Sequence, residues 1–242
     1  MRVAVVSDIH GNYHALAAVL AEVQSEAPDE LWCLGDVVGY GPEPTRCCES
    51  IEREASVCLA GNHDLAVIGV LPVDDFNGDA AAAVHWTRAV LSEEARRFLA
   101  SLAPKATRHG AELYHGSPLD PVWDYVLSEA GAVASLELAQ APLVLVGHSH
   151  VALALAYADG MLTGGLAQPG DELDLSAARW LVNPGSVGQP RGGDPRASWL
   201  MLDLDAGRGT FRRTEYPVER TQAELRAAGL PEALAARLAL GQ

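Results

Sequence analysis

Val3-Ala4-Val5-Val6-Ser7-Asp8-Ile9-His10-Gly11-Asn12 decides how the chain is read. Four consecutive apolar residues, three of them Val, have the composition of a buried strand. The strand runs straight into Asp8 and His10. In an extended chain, residues two apart point to the same face. An oxygen donor and a nitrogen donor would then stand side by side. Gly11 breaks the strand, and Asn12 suits the N-cap of the amphipathic run Tyr13 to Ala27. The carboxyl end of a strand is where open α/β sheets bind ligands. A single Asp there is as often a turn or cap residue, so the stretch gains weight only if it recurs.

It recurs four times. Leu31–Leu34 ends in Gly35-Asp36, and Val57–Ala60 ends in Gly61-Asn62-His63-Asp64. Leu113-Tyr114 leads to His115-Gly116-Ser117-Pro118, and Leu143–Val146 leads to Gly147-His148-Ser149-His150. The chain has 8 His, and His10, His63, His115, His148 and His150 all fall in these motifs. Chance would scatter them over helices and surface loops.

Strands alternating with helical patterns (Tyr13–Ala27, Thr45–Ala55, Ser128–Ala141) indicate an α/β fold with a parallel sheet. Residues Leu65 to Leu102 read as largely helical, with caps at Phe76-Asn77-Gly78-Asp79 and Ser92-Glu93-Glu94. A strand pair, Ala106–Arg108 and Glu112–Tyr114, returns the chain to His115. The last third changes to short strands joined by Gly- and Asp-rich turns: Ala152–Tyr157, Met161–Thr163, Trp180–Val182, Ser198–Leu204 and Thr210–Glu215. A tight Asn183–Gly188 loop interrupts them, and Arg220–Ala228 and Glu232–Leu240 close the chain as helices. Two packed sheets flanked by helices account for this order.

The 242 residues carry no linker of Gly/Ser or Pro, and the candidate ligands span Asp8 to His150, so one domain over 1–242 is expected. The net charge of −15 argues against a nucleic-acid polymer as partner, because phosphates call for a basic stripe. The 4 Cys fall in expected strands or a helix, which suits reduced thiols in a cytoplasmic protein. No signal peptide precedes the first strand, and no run reaches the roughly 20 apolar residues of a membrane helix.

Asp8-x-His10, Gly35-Asp36, Gly61-Asn62-His63-Asp64, His115-Gly116 and Gly147-His148-Ser149-His150 together resemble the calcineurin-like metallophosphoesterase family. Asn183–Val187 is similar to a loop of its small bacterial phosphodiesterase-like branch. The resemblance covers roughly residues 1 to 205. It implies a four-layer α/β/β/α sandwich with two mixed β-sheets flanked by helices. It also implies that Asp8, His10, Asp36 and His150 hold one metal and that Asp36, Asn62, His115 and His148 hold another, with Asp36 bridging. Mixed imidazole and carboxylate donors favour Mn²⁺, Fe, Co, Ni or Zn over Mg²⁺ or Ca²⁺, and Mn²⁺ is the expected cofactor. Seven ligands suit two ions roughly 3.5–4 Å apart. A hydroxide bridging them would attack phosphorus in line.

The same resemblance makes His63 the proton donor to the leaving oxygen or a stabiliser of the transition state. Asp64 either orients that imidazole or caps the next segment. Arg191 either clamps a phosphate or is a surface residue. Asn12 and Tyr40 are candidate substrate contacts, against helix capping and packing respectively. His14, His85 and His109 lie outside the motifs and read as structural or surface residues. The expected activity is divalent-metal-dependent hydrolysis of a phosphodiester or phosphomonoester in a small phosphorylated substrate, a nucleotide being one candidate. The alternatives are a nuclease, disfavoured by the acidic charge, and a non-catalytic scaffold of the same fold, disfavoured by the complete ligand set.

Overall fold

Strand β1 (Arg2–Val6) is buried on both faces, and its alternation serves two separate cores. Ala4 and Val6 pack under helices, whereas Val3 and Val5 face a second sheet. This double burial is why the segment reads as a continuous apolar run. The computed structural model describes all 242 residues. β1 pairs in parallel with β2 (Glu30–Cys33), which pairs in parallel with β3 (Val57–Cys58). On its other side β1 pairs antiparallel with a late strand, β11 (Ala197–Asp203). β12 (Arg208–Thr214) and the short β9 (Glu172–Asp174) complete this sheet, in the order β3-β2-β1-β11-β12-β9.

The second sheet has the order β4-β5-β6-β10-β7-β8. Its strands are β4 (Lys105–Arg108), β5 (Ala111–Tyr114), β6 (Leu143–Leu145), β7 (Leu153–Ala158), β8 (Met161–Leu166) and β10 (Arg179–Asn183). β5, β6 and β10 run parallel and the flanking strands antiparallel, so both sheets are mixed. Trp32, Leu34, Leu113, Leu145, Leu200 and Phe211 fill the space between them.

Helices α1 (Tyr13–Glu26), α2 (Pro44–Glu54), α3 (Asn62–Val67), α4 (Gly78–Val90) and α5 (Glu93–Ala100) supply the core outside the first sheet. α6 (Glu129–Leu138) lays Ala132 and Leu136 on Val144, Val146 and Leu181 outside the second. The result is a four-layer α/β/β/α sandwich. α7 (Val218–Ala227) and α8 (Glu232–Ala236) bring Leu225, Leu230 and Leu234 against Tyr40, Ala80 and Ala83. No helix is long and apolar enough to cross a membrane.

Three local expectations change. The third strand stops at Cys58, and Leu59 adds only an isolated bridge to Ala103. Helix α3 begins at Asn62, earlier than the expected Leu65. Strand β9 is absent from the pattern reading because its three residues, Glu-Leu-Asp, bury only Leu173.

Candidate metal centre

The loops following β1, β2, β3, β5 and β6 converge at one end of the sandwich. Asp8 and His10 arrive there by a different route from the one the extended-strand argument supposes. β1 ends at Val6, and both residues have positive φ, 54° and 51°. Asp36 (52°), His148 (63°) and His150 (62°) share this left-handed conformation. Such backbone costs of order 1–3 kcal/mol per non-Gly residue and clusters at functional sites. The strain is held by hydrogen bonds. Asp8 N donates to Gly35 O, His10 N to Asp36 O and Gly188 N to Asp8 O. Ser186 Oγ donates to Asp8 O at 2.7 Å, and Asn183 Nδ2 to Gly147 O at 2.7 Å. The Asn183–Gly188 loop thus grips both the first and the last ligand turns.

Three of the imidazoles have their orientation set by carbonyls. His10 Nδ1 lies 3.1 Å from Val38 O, His115 Nδ1 2.9 Å from Leu34 O and His150 Nδ1 2.7 Å from Gln189 O. A carbonyl only accepts, so each Nδ1 carries the proton and each Nε2 turns a lone pair inward. That is the arrangement by which proteins orient metal-binding histidines. The inward atoms form two contiguous groups. In the first, His150 Nε2 is 3.5 Å from Asp8 Oδ1 and 3.0 Å from His10 Nε2. In the second, His115 Nε2 is 3.2 Å from both Asn62 Oδ1 and His148 Nδ1. Asp36 Oδ2 joins them, lying 3.5 Å from His10 Nε2 and 3.5 Å from His115 Nε2. Its other oxygen accepts from His63 N at 2.9 Å.

None of these seven side chains, nor His63, exposes more than 4 % of its surface. Asp8 Oδ1 and Asp36 Oδ2 are buried with no hydrogen-bond partner. Burial pushes the Asp8 carboxyl up to about 7, and burial together with the Asp64 charge holds Asp36 well above the carboxylate range. Burial, reinforced by His150 and His63, holds His10 well below the usual imidazole value. Burial and Arg191 do the same for His150. His148 is pushed down to about 2 by burial and His115. Closely spaced lone pairs and orphaned carboxylate oxygens repel one another in a dry pocket unless cations lie among them. The donor set therefore fits metal ions, and Asp8, His10 and His150 form one compact group while Asp36, His115 and His148 form another.

His63 sits beside the ligands. Its ring centroid is 4.9 Å from that of His10, 4.4 Å from Tyr40 and 4.9 Å from Phe76, and its Nδ1 has no partner. Burial, then His115 and Arg191, push it down to about 3. Gly39 lets the ring approach: its φ is +97°, and a Cβ there would stand 2.5 Å from His63 Nδ1. Arg191 is half-buried, and its Nη2 donates to Gln189 Oε1 at 3.0 Å. Its backbone N donates to His150 O at 3.2 Å, which ties its backbone to one of the candidate ligand turns.

Three expected roles are corrected. Asp64 does not orient His63. Its Oδ1 accepts from Val38 N at 3.0 Å and its Oδ2 from Gly61 N at 2.9 Å, so it caps α3 and pins the Gly-rich loop. Asn12 is buried and serves the backbone and not a substrate surface. Its Oδ1 caps Ala15 N and accepts from Thr221 Oγ1, and its Nδ2 donates to Gly188 O. Tyr40 is buried beneath the C-terminal helices, with its ring edge on His10 at 4.6 Å, so it packs the ligands and presents no free face for a base or sugar. Sequence reasoning missed Phe76, Trp123 and Tyr125, which ring the centre. They lie in irregular segments, where no periodicity singles them out.

The fold has known relatives. A crystal structure of a metallophosphoesterase from Sphaerobacter thermophilus superposes with a TM-score of 0.91 at 40% identity, over 100% of this chain and 99% of that one. An uncharacterised protein of Methanocaldococcus jannaschii is 34% identical over 246 residues, 99% of this chain and 98% of its own. A symmetrical bis(5'-nucleosyl)-tetraphosphatase of Proteus mirabilis is 32% identical over 98 residues, which are 34% of this chain and 36% of that protein. The family model for the calcineurin-like phosphoesterase superfamily domain matches residues 1–207, and the chain belongs to that superfamily.

Proposed function

We propose that the chain is a divalent-metal-dependent phosphoesterase acting on a phosphodiester or phosphomonoester bond of a small phosphorylated molecule, a nucleotide among the candidates. The observation that carries this reading is the buried set of inward donor atoms: the partnerless Asp8 Oδ1 and Asp36 Oδ2, and the Nε2 atoms of His10 and His150 that face each other at 3.0 Å. Asp8, His10, Asp36 and His150 would hold one ion, and Asp36, Asn62, His115 and His148 a second. Mn²⁺ is the proposed ion, suited by the carboxylate oxygens, with Fe, Co, Ni or Zn as alternatives suited by the imidazoles. Such ions supply Lewis acidity that activates water and offsets phosphoryl charge.

The protein's own groups do the rest. Asp36, shared between the two groups, fixes their separation. His63 is within reach of the same space and is neutral at pH 7. It gains basicity when an anionic phosphate enters, and the imidazolium so formed would give its proton to the departing oxygen and return to the neutral ring. Arg191 supplies a guanidinium for the phosphate oxygens. Burial of every ligand excludes bulk water and strengthens each of these interactions.

The whole chain, residues 1–242, acts as one metallophosphoesterase domain in this reading, since the first sheet joins β1 to β3 at the start of the sequence with β11 and β12 near its end. The four free cysteines suit the cytoplasm, and the −15 charge disfavours a nucleic-acid polymer as substrate.

Metal-stripped protein should be assayed with bis(p-nitrophenyl) phosphate, p-nitrophenyl phosphate and a dinucleoside tetraphosphate, with and without Mn²⁺. The last belongs in the panel because of the named activity of the Proteus relative. Hydrolysis that vanishes with chelator and returns with Mn²⁺ is expected. Turnover by verified metal-free protein, or none of any ester after metal loading, would overturn the reading.

A further inference from the structure

The metal centre is rimmed by aromatic rings from two separate segments. Tyr125 stacks on the ligand His148, with centroids 3.8 Å apart and planes at 27°. Trp123 approaches the same imidazole edge-on at 6.4 Å. Phe76 touches Trp123 at 5.3 Å and His63 at 4.9 Å. A chain of rings therefore runs from His148 to His63, across the place where a phosphoryl group would sit. Tyr125 leaves 46% of its surface in water, and Trp123 and Phe76 are partly exposed. An exposed aromatic cluster beside a buried polar centre is a recognised mark of a ligand site.

The shelf is built before any ligand arrives. It follows directly on the ligand His115. Gly116 N donates to Pro121 O, and Ser117 N to Asp120 O. Asp120 Oδ1 accepts from Val122 N at 2.9 Å and Trp123 N at 3.1 Å, and Ser117 Oγ donates to Asp124 Oδ2. These bonds fix the backbone that carries Trp123 and Tyr125, so little ordering entropy is lost on binding.

Phe76 and Trp123 are in contact, so no ring inserts between them. Trp123 remains partly exposed, and Tyr125, two residues further along the same segment, leaves 46% of its surface in water. A planar aromatic group matches such a surface because stacking has no hydrogen-bonding requirement. An aliphatic alcohol cannot use it. From this we infer that Trp123, with Tyr125 and Phe76, forms a stacking shelf that selects phosphate esters bearing a nucleobase or comparable flat ring. The inference rests on the phosphoesterase reading and deepens it by naming the substrate class.

The test compares two probes that differ only by the base, adenosine 5'-monophosphate and ribose 5-phosphate. Both are titrated into Mn²⁺-loaded protein by calorimetry. The wild type should bind the nucleotide roughly 10- to 100-fold more tightly, the scale of one base–aromatic stack. Trp123→Ala should collapse that ratio towards one, and Trp123→Phe should keep most of it. Metal content, measured in parallel, separates loss of stacking from loss of an ion. A wild-type ratio near one, failure of both probes to bind, or an unchanged ratio in a metal-replete Trp123→Ala protein would overturn the shelf. Hydrolysis of bis(p-nitrophenyl) phosphate with Mn²⁺ is scored on the same samples. If it persists while the ratio is flat, the shelf fails and the phosphoesterase reading stands; if it is absent and p-nitrophenyl phosphate and the dinucleoside tetraphosphate are also left intact, that reading fails itself.

Discussion

The Nε2 atoms of His10 and His150 lie 3.0 Å apart, and each ring donates its opposite N–H to a backbone carbonyl. Neither ring has a proton to place between them, because burial holds both well below the usual imidazole value. Two lone pairs at that distance are stable only if a cation shares them. Asp36 Oδ2, 3.5 Å from His10 Nε2 and equally far from His115 Nε2, extends the same logic to the second group.

Replacing Asp36 with Asn should therefore disturb both groups at once. Loss of even an outer partner of a metal ligand typically weakens binding about 10- to 100-fold, and loss of a shared carboxylate should exceed that. Metal analysis after dialysis should find both ions depleted in Asp36→Asn, whereas Asn62→Ala should deplete only one. Retention of two ions with near-normal turnover in Asp36→Asn would show that the bridge is elsewhere.

His63→Ala should keep its ions, since Asn62 and the other ligands remain. Turnover of an alkyl ester should fall roughly 10²- to 10⁴-fold, the usual range for proton transfer. A p-nitrophenyl ester, whose leaving group departs unaided, should lose clearly less. Equal losses on both esters would reassign His63 to stabilising phosphoryl charge. A lost ion would make it a ligand.

Metal affinity should rise with pH through 7. Ions compete with protons only at groups that are protonated in the metal-free fold. His63 and His148, pushed down to about 3 and about 2, offer no competition at pH 6. Asp8, held at about 7, and Asp36, held well above the carboxylate range, do, and must lose their protons to bind. Calorimetry in buffers of different ionisation enthalpy should detect proton release at pH 6, with less at pH 8. Affinity should climb up to about tenfold per pH unit for each proton displaced, then level off. A flat profile from pH 6 to 8 would exclude Asp8 as the titrating group.

Gly61→Ala should cost metal without touching a ligand. A Cβ on Gly61 would overlap Asp36 Oδ1, which is held by His63 N, so the carboxylate must move. Gly78, in the first turn of α4, has nothing within 4 Å of the corresponding Cβ and no positive φ. Gly78→Ala should keep full metal content and raise stability by about 0.4–1 kcal/mol through the unfolded chain. Equal metal content in the two variants, measured after the same dialysis, would contradict the steric account.

The cluster of candidate ligands is legible in the sequence because metal chemistry admits few residue types and strand ends expose them. Asp8, His10, Asp36, Asn62, His115, His148 and His150 all meet at one centre for that reason. Their left-handed backbone is not legible: it comes from hydrogen bonds with Gly35, Gly188 and Ser186, which lie far away in sequence. Asp64 and Asn12 mislead for a related reason. A polar side chain next to a ligand can serve substrate or backbone, and only the three-dimensional partners decide between them. Trp123 gives no signal, since an aromatic residue in an irregular loop has no period to betray its face.

The order β3-β2-β1-β11-β12-β9 has a consequence for how the chain can be made. β1 leaves the ribosome well before one of its two partners, β11, which ends at Asp203. β6 likewise awaits β10, which is not complete until Asn183. Until then each nascent sheet presents an unpaired hydrophobic edge, the kind of surface on which misassembly begins. A fragment ending at His150 would carry every ligand and still lack the strands and the Asn183–Gly188 loop that hold Asp8 in place. Closing such distant contacts makes folding slow. The centre is thus assembled last, by residues that contribute no ligand to it.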